Sequence, residues 1–144
     1  MQHNVHFFLT TIILLLISIT DSKYKKIPNG LTAAVAVLST VSALSDVLIR
    51  GTSPLKMLAG AVAGLIILLP AFFITGKSFG AGDKKLFMAL GISLGIKGVM
   101  FLVLFTMVGA AVYILFIKKG ARTQSVALAP FIMYSYILIY CPGI

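Results

Sequence analysis

Acidic residues are nearly absent from this chain. Its 144 residues hold three acids, all Asp, against 12 Lys and Arg. Any chemistry that needs a carboxylate must therefore draw on Asp21, Asp46 and Asp83. There is no Trp and a single Cys, Cys141, which excludes a disulfide framework. The two His, His3 and His6, are too few for a zinc finger, and one Cys cannot hold an iron–sulfur cluster, so no metal and no cofactor is expected. Charge is scarce as well: 10% of the residues are charged and 60% are hydrophobic, where soluble domains carry about 25% charged residues. The formal charge of +9 does not read as a nucleic-acid surface, because the basic residues are scattered between apolar runs instead of gathered on a polar face.

What is present is long apolar runs. Hydrocarbon offers no partner to an unpaired backbone group, so such runs predict helices of about 20 residues each. Six are expected: His6 to Thr20, Leu31 to Ile49, Leu55 to Thr75, a short fourth and a full fifth within Leu86 to Ile117, and a sixth from Val126 to Tyr140. The run from 86 to 117 is too long for one crossing, and Gly95-Ile96-Lys97-Gly98 places a charge and two helix-weakening glycines near its middle. The expected fold class is all-α, a polytopic membrane protein whose residues 1–144 form one domain.

Orientation follows from the basic residues. The loops after helices one, three and five carry Lys23, Lys25, Lys26, Lys77, Lys84, Lys85, Lys118, Lys119 and Arg122, and the other ends carry Arg50, Lys56 and Lys97. Lys and Arg are retained on the cytoplasmic side, so the richer set is expected there and both termini outside. Met1 to Val5 holds no Lys or Arg, so the first run reads as a retained helix and not as a cleaved signal peptide.

Asp21 closes the first helix and Asp83 opens the fourth, with two crossings between them, so both face one compartment. Each has a plain structural reading taken alone: Asp21 as an interfacial acid, Asp83 as a cap on the following helix. Together they stand out, because ionisable groups at membrane depth are rare and usually functional. Asp46 and Arg50 are spaced i, i+4 and read as a surface pair at the opposite end. Before Asp83, Gly80-Ala81-Gly82 reads as a flexible turn where glycine permits close backbone approach or positive φ. After Asp21, Pro28 fixes a bend and Asn29 is expected to cap helix two. Gly60-x-x-x-Gly64 and Gly91-x-x-x-Gly95 read as packing between the protein's own helices. His3 and His6 read as solvated groups of a mobile terminus, and Cys141 as a lone thiol.

An Asp followed by a basic stretch and Ile27-Pro28-Asn29, then Gly80-Ala81-Gly82-Asp83 with Lys84, Lys85 and Leu86, resembles the type IV prepilin peptidases, membrane aspartic proteases of the Gly-x-Gly-Asp type. The likeness extends over most of the chain, includes Ala129-Pro130 before the last helix, and is nearest to the short tight-adherence (Flp) pilus type. It implies that Asp21 and Asp83 are the catalytic pair, with Gly80, Gly82, Pro28 and Asn29 shaping the active-site loops. Either Asp can be the ionised member. It implies prepilins and pseudopilins as substrates, cut behind a basic leader at the cytoplasmic face of the bacterial inner membrane. The larger relatives' extra cytoplasmic domain and cysteine cluster are not in this sequence, so cleavage without N-methylation is expected. Lys84 and Lys85 are expected either to anchor the cytoplasmic side as part of the positive-inside pattern or to reach membrane lipid phosphates. The competing reading is a non-enzymatic membrane subunit of a transport or secretion complex, which would need neither two same-side acids nor the glycines before Asp83.

Overall fold

The apolar runs become helices, and the hydroxyl residues inside them are accommodated by bonding back to the preceding turn. Thr11 donates to the Phe7 carbonyl at 2.7 Å and Thr40 to the Ala36 carbonyl at 2.7 Å, so these side chains enter an apolar environment with their polar atoms satisfied. The computed structural model describes residues 2–75, 81–116 and 127–140. Among them the elements are α1 (Gln2–Tyr24), α2 (Asn29–Arg50), α3 (Pro54–Thr75), α4 (Ala81–Phe116) and α5 (Ala129–Tyr140).

Helix ends follow local chemistry. Helix α1 runs past Thr20 because nothing breaks it before Pro28; it stops where Lys25 adopts φ 50° and its N–H returns to the Asp21 carbonyl at 2.8 Å. The cap of α2 is Pro28, at φ −64° and ψ 130°, and Asn29 is the first helical residue. The expected Asn29 cap is thus displaced by one position, because proline already holds the extended conformation a cap requires. Gly51 ends α2 in the left-handed region, its N–H on the Val47 carbonyl at 3.1 Å. Ser53 caps α3 by accepting the Leu55 N–H at 3.3 Å, ahead of Pro54. Ala127 and Leu128 are not helical, so the last helix starts at Ala129 instead of Val126, with Pro130 in the first turn where its missing N–H is tolerated.

The long fourth element breaks where the charge and glycines fall. Gly95 sits at φ 68°, ψ −176°, a region that only glycine enters readily. Its two arms run in opposite directions. Gly82 and Lys85 of the first arm lie against Ile27 and Asn29, beside the start of α2. In the second arm Thr106 meets Ser135 at 3.1 Å, and further along Tyr113 packs edge-on against Phe131, close to the start of α5. The break at Gly95 falls in the stretch where a division of this run was expected.

Helices α3 and the first arm of α4 pack through glycine. A Cβ on Gly60 would collide with the carbonyl oxygen of Gly91, one on Gly91 with that of Gly60, and one on Gly64 would lie 2.8 Å from the Phe87 carbonyl oxygen. The two small-residue patterns therefore serve this intramolecular contact, as expected. The buried core gathers Leu14 and Ile17 of α1, Val35 of α2, Leu86, Phe87, Leu90, Val99 and Leu102 of α4, and Ile132 of α5.

Large apolar side chains also cover the outside, with Leu48 83% and Phe116 77% exposed. Such a surface suits lipid and not water. By length and composition α1, α2 and α4 are each able to cross a membrane, and Pro54–Ile67 and α5 are shorter apolar helices. The chain is accordingly an all-helical membrane protein. Lys23, Lys25, Lys26, Lys84 and Lys85 lie at the end of the bundle that holds Asp21, and Arg50, Lys56 and Lys97 at the other, around Gly51 and Gly95. Lys77, Lys118, Lys119 and Arg122 lie outside the described residues.

Candidate active site

Asp21 sits in the last turn of α1 with only 6% of its surface exposed. A buried carboxylate needs donors, and one comes from far along the chain: the backbone N–H of Ala129 bonds Oδ2 at 3.2 Å. Ala129 opens α5, and the Ile132 N–H returning to the Leu128 carbonyl at 3.0 Å makes Leu128 the cap residue. A leucine side chain cannot accept the free N–H groups of a first turn, and Asp21 does so in its place. A carboxylate at a helix N-terminus also lies favourably in the field of the helix dipole.

Asp83 is the third residue of α4 and is 9% exposed. It is therefore inside the first turn and not the residue that caps it, a position where an acid again opposes the helix dipole favourably. Gly82 is helical too, so the expected flexible turn does not include it. Its missing side chain serves close approach instead: a Cβ there would stand 2.8 Å from the Cβ of Ile27. Gly80 lies outside the described residues.

Two contacts tie the loop after α1 to the start of α4. One is the seat of Ile27 on Gly82. The other is a hydrogen bond of 3.4 Å from Lys85 Nζ to Asn29 Oδ1. Asn29 thus links α2 to α4, and Lys85, expected to anchor the cytoplasmic side or to reach lipid phosphate, is held by a side chain of the protein. Pro28 stands between these contacts, half-buried, and fixes the entry into α2.

Asp21 and Asp83 consequently share one end of the bundle, and both are buried. Helices α2 and α5 each pack against both α1, which carries Asp21, and α4, which carries Asp83. Asp46 is remote from both, paired with Arg50 at 3.7 Å as its spacing implied. His6 is not a solvated terminal group; it lies in α1, half-buried, with Nδ1 shielded from solvent, because the helix starts well before it. Cys141 lies outside the described residues, as does the side chain of His3.

Sequence reasoning noted Ala129-Pro130 but missed the bond from Ala129 to Asp21, and it missed the Gly82–Ile27 contact. A backbone N–H carries no residue signature, and the nearest signal is Pro130, which marks a helix start. No group of three or more His, Cys, Asp or Glu that could hold a metal ion occurs among the described residues. What the arrangement offers chemically is a pair of buried carboxylates, the components of acid–base catalysis on water.

Comparison with known proteins gives two findings. Residues 8–115 match the type IV leader peptidase family. The chain is 30% identical over 138 residues to a prepilin leader peptidase/N-methyltransferase of Bacillus subtilis (strain 168), an alignment covering 91% of this chain and 53% of that protein. The chain thus spans about half the length of that relative. No solved structure gives a significant match.

Proposed function

Because the chain belongs to the type IV leader peptidase family, we propose that it is an aspartic-type endopeptidase that removes the basic leader of prepilins and related pseudopilins. The observation that carries this reading is the family match over residues 8–115, a segment that contains both Asp21 and Asp83. Burial of both acids at one end of the helices supports it.

In the proposed reaction a water lies between the two carboxyl groups and the scissile carbonyl. The ionised carboxylate takes a proton from the water as it attacks, and the protonated partner donates a hydrogen bond to the carbonyl oxygen. A tetrahedral intermediate forms and collapses as the leaving amine is protonated, with no covalent acyl-enzyme. Neighbouring carboxylates resist double ionisation, so one proton on the pair is the natural working state. In the proposed complex the scissile bond of the leader lies against both carboxyl groups, within hydrogen-bond reach of each.

The site is proposed to face the cytoplasm from the inner membrane, where Lys-rich loops are retained. A co-expressed prepilin tests the reading. Wild-type chain should convert it to the shorter mature form, and Asp21→Asn and Asp83→Asn should not. Full conversion by either variant would contradict the assignment.

A further inference from the structure

We infer that Ala129 is a positioning residue for the proposed reaction: its backbone N–H holds the Asp21 carboxylate in the orientation that catalysis uses. The inference rests on the proposed peptidase activity and adds to it a part of the chain beyond residue 115, where the family match ends.

Helices α1 and α4 carry one acid each, and a third helix packs against the pair. Helix α5 touches both. At the far end of α1, Phe7 stacks on Tyr136 with ring centroids 5.8 Å apart and meets Tyr140 at 5.1 Å. At the near end, the Ala129 N–H takes Asp21 Oδ2 at 3.2 Å. On its other side, α5 is registered against the second arm of α4 by Thr106 and Ser135, whose hydroxyls meet at 3.1 Å. Phe131 also fits against Gly109, where a Cβ would stand 3.0 Å from its ring. Helix α5 is thus a strut between the helix that carries Asp21 and the second arm of α4, whose first arm carries Asp83.

Ala129 is 1% exposed and Asp21 is 6% exposed, so water does not compete freely for their bond. A buried hydrogen bond from a backbone N–H is directional, and leaving that donor without its acceptor is costly. Backbone donors at a helix start also cannot rotate away, whereas an Asp side chain without a partner can. Fixing one carboxylate oxygen leaves the other oriented for its work on water.

Two variants remove the donor. Ala129→Pro deletes the N–H at the first helical position, where proline is well tolerated. Incorporation of the α-hydroxy analogue of alanine at 129 replaces the N–H by an ester oxygen without adding a ring. Ala129→Gly keeps the N–H and serves as the control. Purified full-length protein is assayed on a prepilin substrate, with thermal unfolding measured in parallel.

The ester variant should lose about ten- to a hundredfold in kcat, the scale of a small misplacement at a reacting centre. Its KM should stay within about twofold, because leader binding is untouched. Ala129→Gly should retain kcat within about threefold. An ester variant with wild-type kcat, or one whose loss only follows a loss of folded protein, would overturn the inference while the peptidase reading stands. Failure of the wild-type chain to cleave would overturn both, and the wild-type lane separates the two cases.

Discussion

The Oδ2 atom of Asp21 accepts the backbone N–H of Ala129 at 3.2 Å, a bond between residues 108 positions apart in the chain. Asp21 therefore has a structural duty at the start of α5 in addition to any chemistry, and substitutions at this position separate the two. Asp21→Asn keeps an acceptor for the N–H and should stay folded while losing leader cleavage. Asp21→Ala strands a buried N–H and should cost a further ~1–3 kcal/mol of stability. Thermal unfolding in detergent, set beside a cleavage assay, distinguishes the variants. Equal unfolding temperatures for Asn and Ala would show that the bond contributes nothing.

The close seat of Ile27 on Gly82 gives a second test. A methyl group at 82 would stand 2.8 Å from the Ile27 Cβ, nearer than real Cβ contacts come, so either the loop or α4 must move. Gly82→Ala should reduce activity and destabilise by ~1–3 kcal/mol, the usual cost of overpacking. Because the clash is with the Ile27 Cβ itself, Ile27→Gly should relieve it in the double variant and Ile27→Val should not. Unfolding temperatures of the three variants check this.

Two glycines at positive φ should behave differently. Gly51 lies at φ 64°, ψ 25°, the left-handed region that Asn also visits, so Gly51→Asn should change stability by only a few tenths of a kcal/mol, roughly. Gly95 lies at φ 68°, ψ −176°, where asparagine gains no relief, and Gly95→Asn should cost ~1–3 kcal/mol. Nothing lies within 4 Å of a Cβ at either position, so the difference isolates backbone strain from crowding. Circular dichroism melts of the pair measure it, and equal losses would contradict the reading of Gly95 as the turn between two arms.

The fold was legible in the sequence wherever a single physical force decides the outcome. Apolar runs located the helices, and the glycines around Lys97 marked the reversal that occurs at Gly95. The small-residue patterns of 60–64 and 91–95 found each other. Ends were less legible, since they depend on which of several adjacent residues takes the extended conformation. Pro28 took the cap expected of Asn29, and Asn29 was then used by Lys85. Asp83 and Gly82 were placed at the right end of the molecule but within a helix and not before it. Ala129-Pro130 was noted as part of the family likeness, but the bond to Asp21 could not be read, because it is made by a backbone N–H and its partner lies on the first helix of the chain.

Asp46 supplies an internal control for acid chemistry. Its contact with Arg50 is 3.7 Å long and Arg50 is 59% exposed, and such pairs contribute about 0–1 kcal/mol. Asp46→Asn should leave unfolding temperature and leader cleavage near wild type. Abolished cleavage would mean that the acids at one end of the bundle are not sufficient.

The most direct test of the central claim uses purified chain in liposomes with a purified prepilin and no other peptidase present. Mass spectrometry follows release of the leader, and co-purification follows binding. Wild type should release the leader, whereas Asp21→Asn and Asp83→Asn should each bind the prepilin and release none. Cleavage at the wild-type rate by either variant would contradict the assignment of Asp21 and Asp83 as the two acids that activate water.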